Sequence, residues 1–246
     1  MSFKSRTLVT RGLIMLSLLL LNPLANAELP NECKITGVPR VKQIENYCGP
    51  ASLAAVLDFF GSKETQQQIG KKCYDCANGA TNGADMLLYA RDRGFVAYSW
   101  NADQSSVKKV LAAGIPVIVL QQNSLEDSSG HYRVLVGYND ATSTFYVVDP
   151  YYDICEMSYS KCDQLWSKMG NWALMVAPAD KDKFKTELDL QNPVVHMDLS
   201  FAQYKRKDYA DALKEANTAL LLEPDNPYAK SILTKIEAAM GAGKKD

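Results

Sequence analysis

The pattern of this chain changes once, near residue 179. From about Pro30 to Pro178, short helical and strand-like runs alternate; from about Val194 onward the residues are helix formers with few β-branched positions. Such a chain is neither one repetitive sheet nor one bundle. It calls for an α+β unit followed by a small all-α tail. In the first part Leu53, Val56, Leu57 and Phe60 recur at i, i+3, i+4 and i+7, which is one helix face, and Gly61 is its stop. Met86 to Arg93, closed by Gly94, and Val107 to Ala113, closed by Gly114, read as two further helices. Ile115 to Leu120 is a continuous apolar run of strand length. His131 to Tyr138 and Thr144 to Val148 flank the turn signal Asn139-Asp140-Ala141-Thr142 and make a hairpin, and Trp172 to Val176 is a last strand. Helices first and mostly antiparallel strands after them define the α+β class.

The first 27 residues belong to neither unit. Lys4, Arg6 and Arg11 precede the apolar run Leu13 to Leu21, and Ala25-Asn26-Ala27 places small residues where a signal peptidase reads them. The run is short for a membrane span, so residues 1–27 are expected to be a cleaved signal peptide and the mature protein to be exported, with a periplasmic home. No span is expected after cleavage. The whole chain has 27 basic and 28 acidic residues; without the signal, 24 basic residues face 28 acidic ones, a net −4. That balance, with no basic stripe, speaks against a nucleic-acid partner.

Export alters the reading of six cysteines, Cys33, Cys48, Cys73, Cys76, Cys155 and Cys162. In an oxidising compartment pairing is the default. Cys73-Tyr74-Asp75-Cys76 lies in a loop region and reads as a structural staple; a zinc site needs two more ligands, and only the distant Cys155 and Cys162 are on offer. Structural disulfides are therefore expected among Cys33, Cys73, Cys76, Cys155 and Cys162, in a connectivity that the spacing leaves open. No metal and no cofactor is called for.

Cys48 is the exception. It stands in Gln43-Ile44-Glu45-Asn46-Tyr47-Cys48-Gly49-Pro50, just before the first amphipathic helix. A helix N-terminus stabilises a thiolate, and Pro50 suits a first turn because its missing N–H is not needed there. Gln43, five residues upstream, offers an amide donor for an oxyanion. A thiolate nucleophile needs a base. The chain has two histidines; His131 heads a strand after Gly130, whereas His196 opens the helical tail without a partner pattern and reads as a surface residue. Asp149 closes the next strand in Val148-Asp149-Pro150. Antiparallel pairing brings the start of one strand near the end of the next, so Asp149 is the expected orienter of His131, with Asp153 as a competitor. Tyr151 and Tyr152, which follow, line a substrate groove or simply pack a loop.

These motifs, in this order, resemble the bacteriocin-processing (double-glycine leader) peptidase domain, a papain-like cysteine peptidase family. The residues that carry the likeness are Gln43, Tyr47 to Pro50, Gly130 to Tyr132 with Val136-Gly137-Tyr138, and Val148-Asp149-Pro150, within about residues 38 to 178. The resemblance implies a papain-like fold with Cys48 as nucleophile, His131 as base, Asp149 as orienter and Gln43 as oxyanion donor, acting on a peptide or protein substrate and suited to peptide or leader processing. Typical members are fused to ATP-binding transporters and act in the cytoplasm. This chain has no Gly-rich phosphate loop of that kind and begins with an export signal, so no use of ATP is expected and a stand-alone exported form is the better match. Two other readings stay open: an inactive peptidase-like binding or scaffold protein, and a related thiol amidase or acyltransferase.

The tail, residues 193–246, follows a charged linker at 179–192. Leu199, Tyr204, Asp208-Tyr209, Ala212, Ala219 and Pro224 resemble a single tetratricopeptide repeat, with Ser200 and Ala216 departing from its usual pattern. One such unit cannot bury its own face. It is expected to pack on the helix begun by Pro227, on the first domain, or on a protein partner.

Overall fold

The computed structural model describes residues 28–242. The signal-peptide reading of residues 1–27 lies outside them. The first domain is built on an antiparallel sheet. Its strands are β1 (Glu32–Lys34), β4 (Val96–Asn101), β5 (Val117–Gln122), β6 (Gly130–Asn139), β7 (Thr144–Asp149), β8 (Asp153–Ser158) and β9 (Trp172–Ala177). The order is β4-β9-β5-β6-β7-β8, with β1 added on β6. Two short strands, β2 (Tyr74–Asp75) and β3 (Ala80–Thr81), form a separate hairpin. The helices are α1 (Cys48–Phe59), α2 (Gln66–Cys73), α3 (Gly83–Asp92), α4 (Gln104–Ala112) and α5 (Tyr159–Ser167).

Strand β6 organises the sheet. Its first half pairs with β5, Gln121 facing His131 and Val117 facing Leu135. Its second half pairs with β7 on one side and with β1 on the other, Lys34 facing Gly137. The β6–β7 register slips between Leu135 and Gly137, a bulge that increases the local twist. Gly137 is required there by close approach: a Cβ would stand 2.2 Å from the Cys33 carbonyl oxygen. Helix α1 packs on β6, where Ser52 Oγ donates to the Tyr132 carbonyl at 3.4 Å. Leu53, Val56 and Leu57 are fully buried.

The tail consists of α6 (Pro193–Lys205), α7 (Tyr209–Leu222) and α8 (Pro227–Ala242). Helix α6 packs against α3 and β4, so Val195, Leu199 and Ala202 belong to the main core. Lys205 donates to Asp85 at 2.5 Å and Arg206 to Asp92 at 2.6 Å. Ala212, Ala216, Ile232 and Ile236 form a second, smaller cluster between α7 and α8.

Several expectations need correction. The segment 179–192 holds a 3-10 turn at Ala179–Lys181 and a π-helical turn at Thr186–Leu190. Leu188 is buried, and Asn192 Nδ2 donates to the Ser99 carbonyl at 2.6 Å, so this linker is fastened to the core. His196 is not a surface residue: it is buried, with Nδ1 2.6 Å from Glu215 Oε2 and Nε2 3.2 Å from the Asp189 carbonyl, and it ties α6 to α7. The expected disulfides are absent, because all six cysteines are unbonded. The reason is local. Cys73 Sγ is buried at the end of α2 and donates to the Asp85 carbonyl, whereas Cys76 is exposed beyond β2. Cys162 is buried against the amide of Gln121, whereas Cys155 lies on an exposed face of β8. Cys33 Sγ donates to the Leu111 carbonyl.

Candidate active site

Tyr47 caps α1 without a side-chain bond, so the first-turn N–H groups beside Cys48 are left to other acceptors. Gly49 admits the close approach of β3: a Cβ there would meet Thr81 Cγ2 at 2.7 Å. The α1–β6 packing brings Cys48 to the head of β6, where His131 is 5% exposed. His131 Nε2 lies 3.0 and 3.1 Å from the two carboxylate oxygens of Asp149. Across the same cleft His131 faces the Cys48 thiol, and each group shifts the titration of the other. Burial pushes the Cys48 thiol up, but the hydrogen bond from His131, the N–H groups of Tyr132 and Gly49 and the nearby imidazolium outweigh it, and the thiol sits below its ordinary range. Burial pulls His131 down, yet Asp149 and Cys48 together hold it above the ordinary imidazole value. Asp149 is brought to about 2 despite burial, by His131 and by the backbone N–H groups of Tyr152 and Tyr151. These two N–H groups donate to Oδ1 at 3.0 and 2.7 Å.

The hairpin explains the geometry. Val134 faces Val148 across β6–β7, which sets Asp149 beside Arg133 and diagonal to His131. Asp153 plays no part in this cluster. It binds its own neighbour, Ile154 N, and reaches Arg40 at 3.8 Å on the surface. Gln43 lies on the approach to α1, its N–H bonded to the Pro150 carbonyl at 3.0 Å. It lines one cleft of about 620 Å³ together with Cys48, His131 and Tyr152. Its Oε1 is buried without a partner among the described residues. Tyr151 and Tyr152 stand at the cleft mouth, 62% and 56% exposed, and the edge of Tyr152 meets the His131 ring. The turn of the β2–β3 hairpin, with Asn78 and Gly79, forms another wall.

The sequence reading missed three residues. Arg133 is 3% exposed; its Nε donates to Asp149 Oδ2 at 2.8 Å, Nη1 to Gln121 Oε1 at 3.2 Å and Nη2 to the Asn123 carbonyl at 2.8 Å. Gln121, fully buried opposite His131, completes this polar chain. Arg40 donates to the Asp149 and Tyr151 carbonyls at 3.0 and 2.9 Å and pins the loop after β7. A signal for Arg133 existed. It stands two residues after His131 in an apolar strand, hence on the same face, and a charge there needs a buried partner. Among the described residues no group of acidic, histidine and cysteine side chains is arranged to hold a metal ion, and no helix is long and apolar enough to cross a membrane.

Residues 35–180 match the Peptidase_C39 like family. The chain belongs to this family and is a cysteine peptidase with an α+β fold. Among solved structures it is similar to a double glycine motif protease from an AMS/PCAT transporter, determined in complex with the leader peptide. Identity is 23% and the TM-score 0.49, over 60% of this chain and 95% of that one. It is also similar to the peptidase domain of Streptococcus ComA, a bi-functional ABC transporter, at 23% identity and a TM-score of 0.47 over 58% and 99% of the two chains. A C39-like peptidase from Bacillus anthracis is 16% identical, with a TM-score of 0.48 over 59% and 97%. No curated protein matches the chain.

Proposed function

We propose that the chain hydrolyses peptide bonds through Cys48, His131 and Asp149, with Gln43 as oxyanion donor. The observation that carries this reading is the position of His131, which lines one cleft with Cys48 and lies 3.0 Å from the Asp149 carboxylate. The Cys48 thiolate attacks the scissile carbonyl. The Gln43 amide and the Cys48 N–H donate to the developing oxyanion. The imidazolium of His131 gives its proton to the leaving amine as the C–N bond breaks and a thioester remains. Water, deprotonated by His131, then attacks the thioester, releasing the acid and restoring the thiol. Asp149 holds the ring in place and balances its charge throughout.

The reading extends to a peptide or leader substrate. It includes export to the periplasm, supported by the pattern of residues 4–27, and a tetratricopeptide-like unit in α6 and α7, supported by Leu199, Tyr204, Tyr209, Ala212 and Ala219. Sequencing the amino terminus of the secreted form is expected to give Glu28. Cys48→Ala and His131→Ala are each expected to lower kcat/KM on a cleavable peptide by about a thousandfold or more. Turnover within a few fold of the parent in either variant defeats the assignment.

A further inference from the structure

The cleft at Cys48 does not end at His131. Thr81, Leu120 and Tyr132 also line a second pocket of about 270 Å³ beside it, whose other walls include Met169, Trp172 and Asp198. Among the described residues Asp198 is the one charged side chain lining it. It sits on α6, beyond residues 35–180, and so comes from the part of the chain that the family match does not cover. Trp172 Nε1 donates to Asp198 Oδ2 at 2.8 Å and fixes the carboxylate. The Trp172 ring in turn packs edge-on to Tyr132 and leaves no room for a Cβ at Gly83, so this wall is set by packing. No basic side chain among the described residues pairs with Asp198, whereas Asp85, Asp92, Asp149 and Asp189 each have one.

Resting on the peptidase reading, we infer that this pocket is a specificity subsite for a basic side chain of the substrate, with Asp198 receiving the ammonium or guanidinium head. The chemistry of the walls fits. Trp172, Tyr132, Leu120 and Met169 suit the aliphatic stem of Lys or Arg, which buries its methylenes against apolar surface while keeping its charge on a polar group. Its surroundings push the Asp198 carboxyl up, against the Trp172 hydrogen bond. A half-buried carboxylate without a cation is poorly compensated, and a substrate cation offsets that cost. The tail therefore contributes to the cleft directly, through one side chain of its first helix.

The test is a positional scan on the full chain, pairing each Lys- or Arg-containing peptide with its norleucine counterpart, alongside equilibrium binding of the same peptides to Cys48→Ala. Asp198→Asn keeps an acceptor for Trp172 Nε1 and removes the charge. Expected is a preference for the basic member at one position near the scissile bond, and a basic-to-neutral ratio of kcat/KM about tenfold or more lower in Asp198→Asn. The same ratio is expected in the binding constants of Cys48→Ala against Cys48→Ala with Asp198→Asn. Cleavage without a basic preference, or a preference that survives Asp198→Asn, overturns the subsite and leaves the peptidase reading standing. Asp198-dependent binding of basic peptides without cleavage by the parent chain upholds the subsite and overturns the peptidase reading. No binding and no cleavage of any basic peptide overturns the subsite as well.

Discussion

At the scale of single residues, the site is a chain of charges in which each group sets the next. Arg133 holds Asp149, Asp149 holds His131, and His131 draws the Cys48 thiol down. Cys48 and His131 titrate as a pair, so thiolate is present below the range of an ordinary thiol and is lost only as pH falls through the lowered value. Iodoacetamide is expected to alkylate Cys48 at pH 6 at a rate an ordinary thiol, near 8.5, does not reach. In His131→Ala the inflection of the rate–pH curve is expected to move upward. A parent inflection at the ordinary thiol value contradicts the pair. Arg133→Met leaves Asp149 buried beside His131 without its guanidinium, and removing one partner of a buried ion pair costs about 3–5 kcal/mol. Urea unfolding is expected to show that loss. Arg133→Lys is expected to recover only part of it, because an ammonium cannot make the forked contacts to Asp149, Gln121 and Asn123 together. A neutral result in Arg133→Met means that the carboxylate does not depend on the guanidinium.

At the scale of elements, β6 carries the site at its head and the sheet's irregularity at its tail. The bulge at Val136 and the passage of β1 over Gly137 divide the strand into one half that faces β5 and another that faces β1. Gly137→Ala drives a methyl group into the β1 backbone, and the expected cost is about 1–3 kcal/mol. Thermal unfolding measures it. The exchange of amides in β1 should rise along with it, while His131 and Asp149, on the other side of the bulge, keep their contact. An unchanged Tm shows that β1 yields without loss. Helix α1 explains why the cysteine and the histidine meet at all: its buried face, Leu53, Val56 and Leu57, lies on β6, and the same packing that hides those side chains aims its first residue at the strand head.

At the scale of the whole molecule, the tail is divided in its loyalties. Helix α6 is part of the main core, whereas α7 and α8 share a small alanine- and isoleucine-rich cluster. Local stability follows buried apolar contact. Amide exchange in α8 is expected to be faster than in α6, and α6 is expected to exchange with the sheet. A chain ending at residue 192 uncovers Val195's and Leu199's partners on α3 and β4 and is expected to aggregate or to lose several kcal/mol. Slow exchange across α8, or a stable truncated chain, contradicts this division.

Much of this was legible without coordinates. The helix of Leu53, Val56 and Leu57, the hairpin about Asn139 to Thr142 and the last strand at Trp172 follow from hydrophobic period and turn residues, which act over a few positions. Cys48 at a helix head and Asp149 at a strand end are local facts of the same kind, and antiparallel pairing alone brings Asp149 toward His131. The packing of the fold settled the remainder. That Asp149 and not Asp153 lies against His131 is a matter of strand register, Val134 facing Val148. The burial of His196, the free state of the cysteines, the polar chain through Gln121 and Arg133, the arrival of Asp198 beside Trp172 and the bond from Asn192 to Ser99 join residues 12 to 93 positions apart. Periodicity reports which face of an element is apolar, and is blind to which other element will cover it. That pairing is set by burial across the whole chain at once.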